Sequence, residues 1–193
     1  MFYIALLVSY LIGSVSFAII VSYFMHLEDP RQYGSQNPGA TNVMRSGNKK
    51  AAALTLLGDL LKGLVVVLIA KYLFAKVSGG DALIAFCGIF VVIGHMFPVF
   101  FKFKGGKGVA TAIGVLLGFN LYLAFLLIVT WLIIFKLSKI SSMAALVAAT
   151  LAPIYAYMLM GNSSFFGATT FIAIAILWKH KSNIIRLLNN QEK

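Results

Sequence analysis

The feature that most restricts this chain is a succession of long apolar runs, at about 2–24, 51–70, 82–101, 109–118, 120–136, 143–160 and 164–178. Runs near 20 residues match the helix length needed to cross about 30 Å of hydrocarbon, and they lack the apolar/polar alternation of a membrane barrel strand. Inside a bilayer each backbone N–H and C=O must find its partner within the segment, so such runs specify helices. Composition agrees, because 61% of the 193 residues are hydrophobic and 11% are charged, against roughly 25% charged in soluble domains. The expected fold class is an all-α polytopic membrane protein. It forms a single domain over 1–193, with polar loops at about 25–50, 102–108, 137–142 and 179–193.

The stretch 109–137 reads either as one long helix or as two short ones meeting near Gly118, Phe119 and Asn120. Lysine and arginine in short loops accumulate on the cytoplasmic side, and their count decides. With two segments, Arg31, Arg45, Lys49, Lys50, Lys102, Lys104, Lys107, Lys136, Lys139, Lys179, Lys181, Arg186 and Lys193 all fall inside, leaving Lys71 and Lys76 outside. With one segment, Lys136 and every later cation cross over, and the two sides become nearly equal. The charge pattern therefore predicts seven transmembrane helices, amino terminus outside and carboxyl terminus cytoplasmic. The first run has no basic region before it and no small-x-small cleavage site, so a retained first span is expected. The fourth and fifth runs are short for a full crossing. Lys62 lies within the second run, three residues after Asp59, and an ion pair within one helix is expected there.

The net charge of +11 does not point to nucleic acid, because the cations are not gathered on a soluble face with aromatic side chains between them. Cys87 has no partner for a disulfide. The five acids are scattered, and His26, His95 and His180 lie in separate segments, so neither a metal site nor a cofactor is expected. Polar chemistry concentrates instead in a few loops. In residues 33–50, Gly34, Asn37, Pro38, Gly39, Asn42, Gly47 and Asn48 argue against regular helix, and the exposed amides with Ser35, Thr41 and Arg45 suit an anion nest. In FKFKGGKGVAT, residues 101–111, Gly105, Gly106 and Gly108 permit close backbone approach, Lys104 and Lys107 offer point charges, and a helix N-terminus follows. A nucleotide-binding P-loop is excluded, since Phe101 stands where glycine is required and Gly108 follows Lys107 where a hydroxyl should hold magnesium. His95 lies beside Gly94 at the end of the third run. Ser141 and Ser142 either cap the following helix or contact a ligand. His180 and Asn183, three apart, share a face if the last helix continues.

GSQNPGATNVMR, GHMFPVFFKFKGGKGVAT and the late His180 with Asn183 occur in one order along a chain that, over nearly its full length, resembles the bacterial acyl-phosphate-dependent glycerol-3-phosphate acyltransferases. The resemblance implies an acyl phosphate donor, sn-glycerol 3-phosphate as acceptor, and lysophosphatidic acid and phosphate as products of phospholipid biosynthesis. It also implies a location in the inner membrane, among membrane lipid, with the site facing the cytosol. Carried onto matching positions, it makes Ser35, Arg45, Lys104 and Lys107 phosphate binders, with Ser142, His180 and Asn183 completing the pocket. Catalytic candidates are His95, His180 and Asn183, and Asn37, Thr41, Gly105 and Gly106 join the binding set. Glu192 receives no role. A monomer is compatible with all of this. The alternative is a phosphate or organophosphate transporter, disfavoured because the polar groups sit at one face and no internal repeat brings broken helices to the midplane. A lipid-binding scaffold would not need three separate glycine or serine loops.

Overall fold

The structure is a computed structural model describing residues 1–192; Lys193, counted above among the inner cations, lies outside the described residues. Its helices are α1 (Phe2–Gly13), α2 (Phe17–Phe24), α3 (Ala40–Met44), α4 (Lys49–Phe74) and α5 (Gly80–Met96), then α6 (Val109–Phe119), α7 (Leu121–Ser138), α8 (Ser141–Met160), α9 (Ser164–Lys179) and α10 (Lys181–Leu188). One 3-10 turn, Val99–Phe101, extends α5, and no strand occurs among the described residues. By length and composition α4, Gly80–Phe101, α7 and α8 can each cross a membrane, and the α1–α2 pair supplies a fifth, bent stretch. The remaining apolar helices, α6 and α9, are shorter.

Two boundaries follow from local chemistry. Asn120 breaks the 109–137 region: its backbone is extended and its Oδ1 accepts from Leu123 N at 3.1 Å, ending α6 and capping α7. Because α7 then runs to Ser138 over 18 residues, only α6 is short of the pair expected to be short; its 11 residues rise about 16 Å. The first run differs from expectation more plainly. It is two helices at 42° to one another, separated at Ser14–Ser16. The break takes Val15 O out of the helical ladder, and Lys62 Nζ donates to it at 2.6 Å. Residues 33–50 also contain more regular structure than their glycines suggest, with α3 formed and α4 already started at Lys49 behind the Asn48 cap.

The bundle closes through glycines. An added Cβ on Gly13 would lie 2.2 Å from Val91 O, and one on Gly94 2.2 Å from Tyr10 O, so α1 and α5 touch backbone to backbone from both sides. Gly63 meets Thr111 O at 2.3 Å and Gly114 meets Leu60 O at 1.9 Å by the same measure, which fixes α4 against α6. Small residues permit this approach where apolar lipid gives little drive for helix association. On α8 the buried face is Ala144, Ala145, Ala148, Ala149, Ala152 and Ala156.

Candidate active site

Asn42 organises the first loop. Fully buried, it donates from Nδ2 to Pro30 O at 2.7 Å and Tyr33 O at 3.1 Å, while its Oδ1 accepts from Ser35 N at 2.9 Å. Gly34 turns with φ +57°, and a Cβ there would strike Asn42 Oδ1 at 2.3 Å, so only glycine lets the loop close on this side chain. Arg31 forks onto Asp29, with contacts of 2.6 to 3.1 Å, and lies over the Phe101 ring at 5.7 Å, linking the first loop to the second.

The second loop folds back on His95. Gly106 N donates to His95 O at 3.2 Å, and a Cβ on Gly106 would lie 2.2 Å from His95 Nε2 and 3.1 Å from Pro38 O. Gly105 packs equally tightly on His95 O. These two glycines therefore serve close packing between the loops and the imidazole. The part of the loop that lines the central cavity is Lys107 and Gly108, whereas Lys104 is exposed and outside the lining.

That cavity holds about 400 Å³. Of the residues expected at the site, Ser35, Asn37, Thr41, Arg45, His95, Lys107, Ser142, His180 and Asn183 line it. The polar end is a connected network. Lys107 Nζ donates to Asn183 Oδ1 at 2.5 Å, Asn183 Nδ2 donates to Glu192 Oε1 at 2.5 Å, and Ser142 Oγ donates to the same oxygen at 2.7 Å. Arg186 Nε holds the other carboxylate oxygen. Burial works against the Glu192 charge, but the bonds from Arg186, Ser142 and Asn183 outweigh it and hold the carboxyl below its ordinary range. Burial lowers Lys107 to about 8; Glu192 opposes the shift, and Arg186, Arg45 and Lys179 add to it. His180 is lowered to about 4, chiefly by burial. Its Nδ1 is 2.8 Å from Ile176 O, and a carbonyl only accepts, so Nδ1 carries the proton and Nε2 does not.

The other end of the cavity is apolar, walled by Leu56, Leu60, Ile113, Leu127, Ile128 and Trp131. One chamber thus joins a cationic, amide-rich floor to a hydrophobic channel among α4, α6 and α7. The family model for glycerol-3-phosphate acyltransferase matches residues 3–190. The chain belongs to the glycerol-3-phosphate acyltransferase family. It is similar to the glycerol-3-phosphate acyltransferase of Chromobacterium violaceum, 54% identical over 187 residues covering 96% of this chain and 91% of that protein. The Neisseria gonorrhoeae protein of the same name is 55% identical over 188 residues, covering 97% and 94%. Among solved structures, PlsY (YgiH), an integral membrane glycerol 3-phosphate acyltransferase, superposes in its glycerol 3-phosphate form with a TM-score of 0.92 at 36% identity, covering all of this chain and 94% of that one. Its lysophosphatidic acid form gives 0.91 at 35%. The protein is a membrane-embedded acyltransferase.

Asn42, Ser141 and Glu192 of this acyltransferase site escape sequence reasoning. Asn42 looks like one more turn former, and only its burial reveals a staple. Ser141, whose Oγ is 3.2 Å from Thr41 Oγ1, looks like a helix cap, yet the cap position of α8 is Ile140, and its hydroxyl turns to the site as does that of the expected Ser142. Glu192 lies 50 residues from Ser142 and carries no local signal. The Asp59–Lys62 pair forms as expected, at 2.8 Å, but is not confined to one helix: Lys62 Nζ is also 3.0 Å from His95 Nδ1.

Proposed function

We propose that this acyltransferase moves a fatty acyl group from acyl phosphate to the 1-hydroxyl of sn-glycerol 3-phosphate, releasing lysophosphatidic acid and inorganic phosphate. The observation that carries the reading is the single cavity whose polar floor, with Arg45, Lys107, Ser142 and Asn183, continues into an apolar wall. Here a lipid-soluble donor and a water-soluble phosphate ester can meet in one chamber. The PlsY neighbours, described in forms with this acceptor and this product, support the same assignment.

Acyl phosphate is already activated, so no covalent serine or cysteine is needed. The glycerol oxygen attacks the acyl carbon, the bond from that carbon to the phosphate oxygen breaks, and the electron pair leaves with phosphate. Holding two anions side by side is the main task, and Arg45 and Lys107 offset their repulsion. His180 at about 4 is a weaker base than a phosphate, whose second pKa is about 6. Its unprotonated Nε2 can orient the hydroxyl, and the proton passes to phosphate. Asn183 and Ser142 align the acceptor.

The charge pattern supports seven crossings with the amino terminus outside and the site facing the cytosol of a bacterial inner membrane. Cysteines introduced at Lys49 and Lys139 should react with an impermeant maleimide only in inverted vesicles, and one at Lys76 only in intact cells. Labelling of 49 and 139 from opposite faces would end the shared cytosolic site. For the reaction, purified protein in nanodiscs should release phosphate from palmitoyl phosphate only when sn-glycerol 3-phosphate is present. Vesicle uptake of the glycerol phosphate without turnover would replace the enzyme by a transporter. A rate limb near pH 6.5 that disappears only in His180→Gln would return the proton to that histidine.

A further inference from the structure

The buried cluster joining α4 to α5 has a feature that the acyl-transfer chemistry above does not use. Three groups surround Lys62 Nζ: Val15 O accepts from it at 2.6 Å, His95 Nδ1 is within hydrogen-bond reach at 3.0 Å, and Asp59 Oδ1 forms an ion pair at 2.8 Å without hydrogen-bond geometry. An ammonium has three protons and no lone pair. The Val15 carbonyl can only accept, and the Asp59 carboxylate, ion-paired with Lys62, holds the amine as an ammonium. An ammonium at 3.0 Å can only donate, so Nδ1 must present its lone pair to it, and the ring proton of His95 resides on Nε2. The competing arrangement, an Asp59–His95 dyad with the proton on Nδ1, has the longer contact, 3.5 Å. Side chains of Asp59, Lys62 and His95 are exposed by only 3%, 3% and 6%, so water does not contend for these positions.

Nε2 is the nitrogen facing Gly106, where an added Cβ would come within 2.2 Å, and His95 lines the cavity with Asn37, Arg45 and Lys107. We propose that Lys62, backed by Asp59 and the Val15 carbonyl, is a positioning residue that locks His95 as an Nε2–H donor to the phosphate of the acceptor substrate. This rests on the acceptor being a phosphate ester, as proposed above. It also divides the labour between the two cavity histidines. His180 donates its Nδ1–H to Ile176 O and keeps a lone pair on Nε2, whereas His95 has the reverse tautomer. One ring can accept from a hydroxyl and the other can donate to an anion. The bend between α1 and α2 acquires a purpose as well, since an unbroken helix would keep the Val15 carbonyl for itself and leave Lys62 one acceptor short.

The test is nitrogen NMR of protein labelled with 15N-imidazole histidine in nanodiscs, with His95 assigned through His95→Gln. Wild-type His95 should show a protonated Nε2 and an unprotonated Nδ1, with the Nε2 signal shifting as glycerol 3-phosphate is added. In Lys62→Met the fixed tautomer should be lost, and the KM for glycerol 3-phosphate should rise about tenfold with a smaller change in kcat. Because Lys62→Met leaves Asp59 buried without its partner, Asp59→Asn combined with Lys62→Met provides a neutral cluster of similar shape; it should show the same tautomer loss and KM rise. A protonated Nδ1 in the wild-type enzyme overturns the proposal, and so does a double variant that keeps both the Nε2 proton and the wild-type KM. The tautomer is read without turnover. Failure of the acyl-transfer assay with a correct tautomer would count against the reaction alone, and a reversed tautomer in an active enzyme against this inference alone.

Discussion

Gly106→Ala tests the meeting of the two loops directly. The added methyl would sit 2.2 Å from His95 Nε2, 2.9 Å from His95 Cε1 and 3.1 Å from Pro38 O. Reaching the 3.4 Å of ordinary contact requires about 1.2 Å of separation between the glycine loop and the ring. The imidazole cannot retreat by that much without breaking its 3.0 Å contact with Lys62, and retreat of the loop carries Lys107 away from Asn183. Either way a substrate-positioning group moves by about 1 Å, which costs on the order of 100-fold in rate, equivalent to about 2.7 kcal/mol of transition-state stabilisation. The assay is kcat/KM for glycerol 3-phosphate from phosphate release, with thermal unfolding followed in parallel. Gly167→Ala is the control, since a methyl there meets nothing within 4 Å. Gly106→Ala should fold and lose about two orders of magnitude; a folded variant within twofold of wild type would refute the close-packing account of this loop.

Three further outcomes follow from the geometry. Lys107 carries its charge below about 8 and loses it as pH rises through that value, so kcat/KM, which reports the free enzyme, should fall above pH 8, and Lys107→Arg should move that alkaline limb upward by several units while lowering the plateau. Replacing Glu192 by alanine removes the acceptor for Ser142 and Asn183; loss of one charged hydrogen bond of about 1.5 kcal/mol predicts a kcat/KM at least about tenfold lower, and an unchanged value would make the carboxylate a bystander. In Gly114→Ala the methyl would lie 1.9 Å from Leu60 O and 3.0 Å from Leu64 N, both backbone, so α4 and α6 must part; a loss of about 1–3 kcal/mol should appear as a lower unfolding temperature in detergent.

The helical class and the apolar segments were legible because burying backbone in hydrocarbon demands uninterrupted runs, and those runs are written locally. Asn120 was legible as a break for a similar reason, its side chain serving the very next turn. The bend at Ser14–Ser16 was not, because nothing in GSVSFA tells that a lysine 47 positions away will take the released carbonyl. Chemistry showed the same division. Lys107, His180 and Asn183 announce themselves by residue type near a helix end, but Asn42 and Glu192 act through partners that only the tertiary structure supplies. Lys104 and Lys107 look equivalent in FKFKGGKGVAT. The left-handed Gly108, φ +87°, and the packing of Gly106 on His95 leave Lys107 half-buried beside the cavity and Lys104 in solvent.

The proposed transfer does not need a strongly basic side chain beside the acceptor hydroxyl, and the physical setting explains why. In that reaction acyl phosphate supplies a good leaving group, and the phosphate formed is itself a base stronger than His180, lowered to about 4. What the reaction cannot tolerate is water, which competes with the glycerol hydroxyl for the same carbonyl. In the proposed reaction the apolar wall of Leu127, Ile128 and Trp131 offers the donor's reactive end surroundings of low polarity, where fixed cations and amides act more strongly than they do in solvent. Opening that wall should therefore change the partition between acyl transfer and hydrolysis. Trp131→Ala is expected to raise the share of acyl phosphate lost to water, measured as phosphate released in excess of lysophosphatidic acid formed. If the two products stay equal in that variant, water exclusion by this wall is not part of how the site protects its donor.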